Sequence, residues 1–262
     1  MSNTHTPIHE ETIDDPYADF APRYDTFFDA EEDHTAQVVF FNEVFKKHRA
    51  RRVLDCSCGT GEHLAMLSSL GLSLFGSDVS PSMLAVAEEK MERLDLEIPL
   101  VQADFRSLPE HFPEPFDAIL CLSTSLPHVH TESEMIRALK SMHASLTGGG
   151  VLILTQGSSD RMMIEKPRFM PVVNNRDLSR AFVIDYYGRG MTFHVLDFIH
   201  TEQQTDFVTW SASYPFIPLK EDYRRMLGAA GFKDVHTYGG YDFSPYDETS
   251  RFLIIVAGKG RS

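Results

Sequence analysis

From Arg52 to Gln156 the chain alternates short β-rich, apolar runs with longer amphipathic ones, and that rhythm admits little besides parallel strands joined by helices. "RVLDCS" reads as the first strand and "GEHLAMLSSLG" as the helix after it, closed at Gly71. "LSLFGSDVS" is the second strand, and the helix in "SPSMLAVAEEKMERLD" starts on Ser80 as N-cap with Pro81 at its first position. "IPLVQADF" and "FDAILCLSTSL" supply strands three and four, "ESEMIRALKSMHASLTGGG" a helix and its stop, and "VLILTQ" the fifth strand. This order describes an α/β, doubly wound sheet. Past Gln156 the period changes. Aromatic and β-branched residues, broken by a turn at "GRG", predict an antiparallel β insertion. The α/β pattern resumes in "LKEDYRRMLGAAGF", with Leu219, Tyr223 and Leu227 on one face, and closes with "VHTYGGY" and "RFLIIVAGK" as an antiparallel pair.

Composition narrows what such a sheet can meet. The 262 residues are 42% hydrophobic, enough for one substantial core. A formal charge of −14 with no separate basic patch repels nucleic-acid phosphates and anionic membranes, so small molecules are the expected partners. No apolar run reaches membrane-spanning length, and the opening lacks a secretory signal's basic end and apolar centre, so a cytoplasmic protein is expected. Its first dozen residues read as disordered. Three cysteines make no disulfide framework, and Cys56, Cys58 and His63 have poor zinc spacing, so reduced thiols and no metal are expected.

Ligands of doubly wound sheets bind outside the carboxyl ends of the strands, near the point where strand order reverses. There "LDCSCGTGEHL" puts Gly59 and Gly61 in a bare turn that lets a ligand approach the backbone. Asp78, about twenty residues on at the end of the second strand, is where a ribose-binding carboxylate belongs. Asp104 ends the third strand, where it can accept from an adenine amino group. Asp55 and Glu62 flank the turn and suit an ammonium or sulfonium better than a pyrophosphate, while Cys58 reads as a small residue beside the ligand.

"LDCSCGTG", "SDVS", "QADF" and "FDAILCLSTS", in this order and spacing, resemble a class I methyltransferase that uses S-adenosylmethionine. From Tyr17 to Lys259 the chain further resembles the glycine N-methyltransferase family and related bacterial small-molecule N-methyltransferases, including those acting on amino sugars. "PYADF", "FDAILCLSTSLPHV", "HVLDFIH", "SASYPF" and "RFLIIVAGK" carry this likeness. It implies a Rossmann-like seven-stranded sheet with the antiparallel insertion and an N-terminal lid. The divisions are 1–50 for lid and leading helix, 51–156 for the cofactor-binding core, 157–215 for the substrate-side insertion and 216–262 for the end of the core. Gly59 then lines the methionine portion of the cofactor, Asp78 holds the ribose, Asp104 and Phe105 recognise adenine, and Leu122 packs beside the nucleoside. Tyr17 falls near the transferring methyl, and His128 matches a histidine of the substrate loop.

The departures are informative. In glycine-directed members an arginine after the fifth strand clamps the substrate carboxylate, and Gly157 stands there in this chain. An assisting asparagine is replaced by Thr124, and an N-terminal arginine that meets the cofactor carboxylate aligns with His34. Without the clamp, glycine is not the expected acceptor.

The expected reaction is in-line methyl transfer to a small acceptor, most readily an amine nitrogen, with Tyr17, Tyr24, His128 and Tyr214 as orienting candidates; Tyr17 and Tyr24 are also counted, with His34, Cys58 and Gly61, among the residues expected to bind the cofactor. An O- or S-acceptor needs a similar cofactor site. A protein that binds S-adenosylmethionine without turnover would read almost identically, and a homo-oligomer is left open. A nicotinamide oxidoreductase should show a third loop glycine where His63 stands. Phe193, Phe198 and Trp210 of the insertion are read as core, Tyr214 as site.

Overall fold

The computed structural model describes residues 15–27 and 34–260. The first dozen residues, expected to be disordered, lie outside it. An N-terminal segment forms a turn, the short helix α1 (Ala21–Tyr24) and a 3-10 turn over Asp25–Phe27. Helix α2 (Thr35–His48) leads into β1 (Arg52–Asp55), α3 (Glu62–Leu67), β2 (Ser73–Asp78), α4 (Pro81–Arg93), β3 (Leu100–Gln102), α5 (Leu108–His111), β4 (Phe116–Cys121), α6 (Glu132–Ala144) and β5 (Leu146–Gln156). After α7 (Asp160–Glu165) come β6 (Phe169–Asn174), β7 (Leu178–Tyr187), β8 (Gly190–His200) and β9 (Thr205–Tyr214). Helix α8 (Lys220–Ala230), β10 (Lys233–Tyr238) and β11 (Leu253–Gly258) finish the chain.

Seven strands form one sheet in the order β10-β11-β5-β4-β1-β2-β3, with β11 antiparallel to both neighbours. The order reverses between β1 and β4, which places the switch point beside the glycine turn. Alternate residues of the buried strands face opposite helix layers. Leu54, Ile119, Leu152 and Ile255 pack under α6 and α8, while Val53, Leu120, Ile153 and Val256 pack under α2, α3 and α4. Phe40, Phe41 and Phe45 anchor α2 to its face, each burial worth about 1.5–3 kcal/mol. Ser80 caps α4 as expected, its hydroxyl accepting the Met83 amide at 3.1 Å.

The expected stop at Thr147–Gly150 is instead the opening of β5. Lys259 pairs with this stretch through Gly149 N–H to Lys259 O at 2.9 Å and Lys259 N–H to Gly150 O at 2.8 Å, so distant backbone groups hold the glycines extended. Strands β6 to β9 make the separate antiparallel sheet, with Gly188–Gly190 as the β7–β8 turn. One of its faces aligns Ile184, Val195, Trp210 and Tyr214 with the buried pair Arg180–Asp197, bonded at 2.7 and 2.8 Å. No helix among the described residues is long and apolar enough to cross a membrane.

Candidate active site

The carboxyl ends of β1 and β2 hold two carboxylates under the glycine turn. Asp78 accepts the Gly59 amide at 2.9 Å and the Ser80 amide at 3.0 Å, which fixes its orientation. Burial outweighs these bonds and raises its pKa. Asp55 is 1% exposed, and burial, with repulsion from Asp78, pushes its pKa up to about 7 against one opposing bond from the Ser57 amide. Its Oδ2 is buried without a hydrogen-bond partner. An orphaned carboxylate oxygen is a standing cost that a cationic ligand group relieves.

The two glycines do different work. Gly59 has φ +53°, and a Cβ there would meet only Tyr24 Cε1, at 4.0 Å. Gly61 has φ +80°, and its missing Cβ faces Met91 Cε at 3.0 Å and Ala87 Cβ at 3.3 Å, so this glycine lets α4 pack against the turn. Cys58 has a packing role as well. Its thiol lies in the core, against the position where a Gly76 side chain would point, and its amide is taken by Ser77 O at 2.9 Å. Leu122 is 2% exposed within the α2-side core, and Phe105 packs on the opposite core cluster. Asp104 follows β3, but its carboxylate is engaged by the Arg106 guanidinium at 2.9–3.0 Å, which holds its pKa below the usual value despite burial.

A second group gathers where the N-terminal segment crosses to the insertion. His128 Nε2 lies 3.0 Å from the Tyr17 hydroxyl and 3.1 Å from that of Tyr214. Burial, with His130 nearby, lowers the His128 pKa to about 4, so the ring is neutral at physiological pH. Burial raises the pKa of Tyr17 and Tyr214, and takes Tyr24 up to about 12. All three phenols stay protonated. One imidazole nitrogen satisfies one phenol at a time, and the Tyr17 and Tyr214 hydroxyls also hydrogen-bond each other, which leaves phenol oxygen lone pairs able to accept from another partner. The Tyr17 and Tyr24 ring centroids are 6.1 Å apart, joining this group to the glycine turn.

Trp210, expected in the core, instead clasps the segment: its Nε1 donates to Pro16 O at 2.8 Å and its ring stacks on Phe20 at 4.8 Å. The segment's ends are tied to the core. Asp15 accepts from the Ser80 hydroxyl and the Ser82 amide, while Asp25 accepts from Thr60 and pairs with Lys90. His34 stands apart from the His128 group, beside Gln37, Glu62, His63 and Met66, with a buried Nδ1 that has no partner.

The loop after β4 is strained. Ser123 and Thr124 are left-handed at φ +56° and +67°, unusual for any residue and more so for a β-branched one. Thr124 Oγ1 accepts the Gly157 amide at 3.0 Å, so the two positions that depart from the glycine-directed pattern are neighbours. The first side-chain carboxylate beyond Gly157, Asp160, accepts the Tyr246 hydroxyl at 2.7 Å. A concavity of about 430 Å³ lies elsewhere, at the start of β2 and the approach to β3. It is lined mainly by apolar residues and brings together no group of titratable side chains, so the strand ends remain the better site.

Comparison with known proteins identifies the family. A family profile described as a methyltransferase domain matches residues 53–150. A glycine/sarcosine N-methyltransferase from Parasynechococcus marenigrum is 36% identical over 254 residues, covering 92% of this chain and 83% of the relative. Another, from Aphanothece halophytica, is 29% identical over 92% of this chain and 88% of its own length. The crystal structure of an S-adenosylmethionine-dependent methyltransferase from Clostridium acetobutylicum superposes with a TM-score of 0.78 over 93% of this chain and 99% of that one, at 18% identity.

Proposed function

Because the chain belongs to the class I S-adenosylmethionine-dependent methyltransferases, in the glycine/sarcosine N-methyltransferase family, we propose that its acceptor is the nitrogen of a small amine without a free carboxylate. The cofactor, when bound, supplies an electrophilic methyl on a sulfonium that leaves readily. The residues at the strand ends fit it. Asp55 offers its orphaned Oδ2 to the ammonium of the methionine portion, Asp78 a carboxylate to the ribose hydroxyls, and Gly59 a backbone without a side chain beside the Tyr24 ring edge. His34 Nδ1 is the candidate for the methionine carboxylate. Asp104, Phe105 and Leu122 stay assigned to the adenine side, with Asp104 acting while held by Arg106.

The observation that carries the acceptor reading is the pair of protonated phenols, Tyr17 and Tyr214, on one neutral His128. No strong base stands among them, since a histidine with a pKa of about 4 is a poor one. The amine must lose its proton through its surroundings. Burial of an ammonium lowers its pKa by up to 3–5 units. Attraction to the aromatic rings of Tyr17 and Tyr214 opposes this by about 0.5–2 kcal/mol, about 0.4–1.5 units, so the net shift favours the neutral amine. A phenol oxygen then accepts the remaining N–H and aims the lone pair, an alignment able to supply on the order of 7–11 kcal/mol.

Exclusion of a carboxylate rests on Gly157 and Thr124, where no cationic side chain takes the arginine's place. Incubation with S-adenosylmethionine and matched pairs such as ethanolamine with glycine, read by mass spectrometry, tests this. Methylation of the neutral amine is expected, and preferential methylation of glycine would overturn it.

A further inference from the structure

Lys90 is 4% exposed on the buried face of α4 and meets two carboxylates, Asp25 Oδ2 at 2.8 Å and Glu62 Oε2 at 2.6 Å. Glu62 is the first residue of α3, immediately after the glycine turn, and Asp25 belongs to the N-terminal segment. The other oxygen of Asp25 accepts the hydroxyl of Thr60, a 1% exposed residue between the two glycines. Gly61 makes this possible, because its bare Cα lets Ala87 and Met91 reach the turn and carries Lys90 up with them. Tyr24 directly precedes Asp25, and its ring edge lies over Gly59.

We propose that Lys90 is a positioning residue for cofactor binding: its ammonium docks Asp25 beside Glu62 and thereby sets Tyr24 on the glycine turn. Lys90 touches no substrate, and its effect passes through Asp25 to Tyr24. A buried lysine with two carboxylates persists only where geometry and bonding offset its desolvation, and here every one of its partners borders the turn. The inference rests on the reading of Gly59 and Tyr24 as cofactor-side residues.

The test uses Asp25→Asn, Lys90→Met, the double variant and Lys90→Arg in the full-length protein. Asp25 is partly exposed, and its replacement keeps an acceptor for Thr60, so this variant is expected to fold and to carry the test even if Lys90→Met does not. Titration with S-adenosylmethionine should show about tenfold weaker binding for Asp25→Asn and for Lys90→Met, with no further loss in the double variant and recovery to within about threefold in Lys90→Arg. Hydrogen exchange of residues 15–27 should accelerate in Asp25→Asn while the melting temperature stays near wild type. Folded Asp25→Asn with wild-type cofactor affinity and unchanged exchange in that segment overturns the proposal. Amine methylation by the wild type, measured alongside, reports separately on the proposed function.

Discussion

Asp55 shows at the residue scale how a site keeps an unfavourable group. A carboxyl whose pKa rises from 3.8 to about 7 on folding binds more protons folded than unfolded, so it lowers stability progressively as pH rises across that window. Asp55→Asn should therefore raise the melting temperature at pH 7.5, corresponding to about 1–3 kcal/mol, while weakening S-adenosylmethionine binding. In the wild type, cofactor affinity should fall as pH drops from 8 to 6, by up to about tenfold, as the carboxylate is protonated. Calorimetry and titration on one protein series check both signs. His128 behaves in the opposite way. Its pKa of about 4 leaves no imidazole transition in kcat near pH 6.5, and His128→Phe, which removes the shared partner of Tyr17 and Tyr214, should lower kcat about 10–100-fold while leaving cofactor affinity within about threefold.

Among the elements, the turn between β1 and α3 holds two glycines with different surroundings within three residues. Gly61→Ala meets both a left-handed φ and contacts at 3.0 and 3.3 Å with α4, and should cost about 2–4 kcal/mol of stability in chemical denaturation. Gly59→Ala meets the same left-handed region but only a contact at 4.0 Å and should cost about 1 kcal/mol, with a larger loss in cofactor affinity than Gly61→Ala shows at equal folded fraction. Sequence alone could not tell these glycines apart, because the neighbour that distinguishes them lies on α4, some thirty residues away. The same distance hid Lys90, Asp25 and Asp15, which in the sequence are ordinary charges on an amphipathic helix and in an acidic segment. The strands and long helices were legible because each carries its own signal: the Ser80–Pro81 start of α4, the Gly231 end of α8, the apolar runs of β4 and β5. Thr147–Gly150 misled because glycines normally stop a helix, and only the partner strand at Lys259 draws them into the sheet.

Across the whole molecule, the N-terminal segment bridges two separately built sheets. It ties to the core through Asp15 and Asp25 and to the insertion through Pro16 and Phe20 on Trp210, with Tyr17 between them on His128. Under the proposed site assignment this bridge spans the cofactor and acceptor sides, so hydrogen exchange in residues 15–27 should slow further when both ligands are bound. Tyr17→Phe keeps the ring and loses the hydroxyl, and should reduce turnover more than cofactor affinity. The bond from Trp210 is broken by Trp210→Phe, which should speed exchange in the segment without unfolding either sheet. The central claim is amine methylation in a site that does not clamp a carboxylate. Its most direct measurement is the identity of the methylated atom in products formed from an equimolar mixture of neutral amines, glycine, sarcosine, thiols and phenols, with S-adenosylhomocysteine quantified in parallel. N-methylated neutral amine in one-to-one yield with S-adenosylhomocysteine is the expected result; N-methylated glycine or sarcosine as the main product, or methyl found only on oxygen or sulfur, would contradict it.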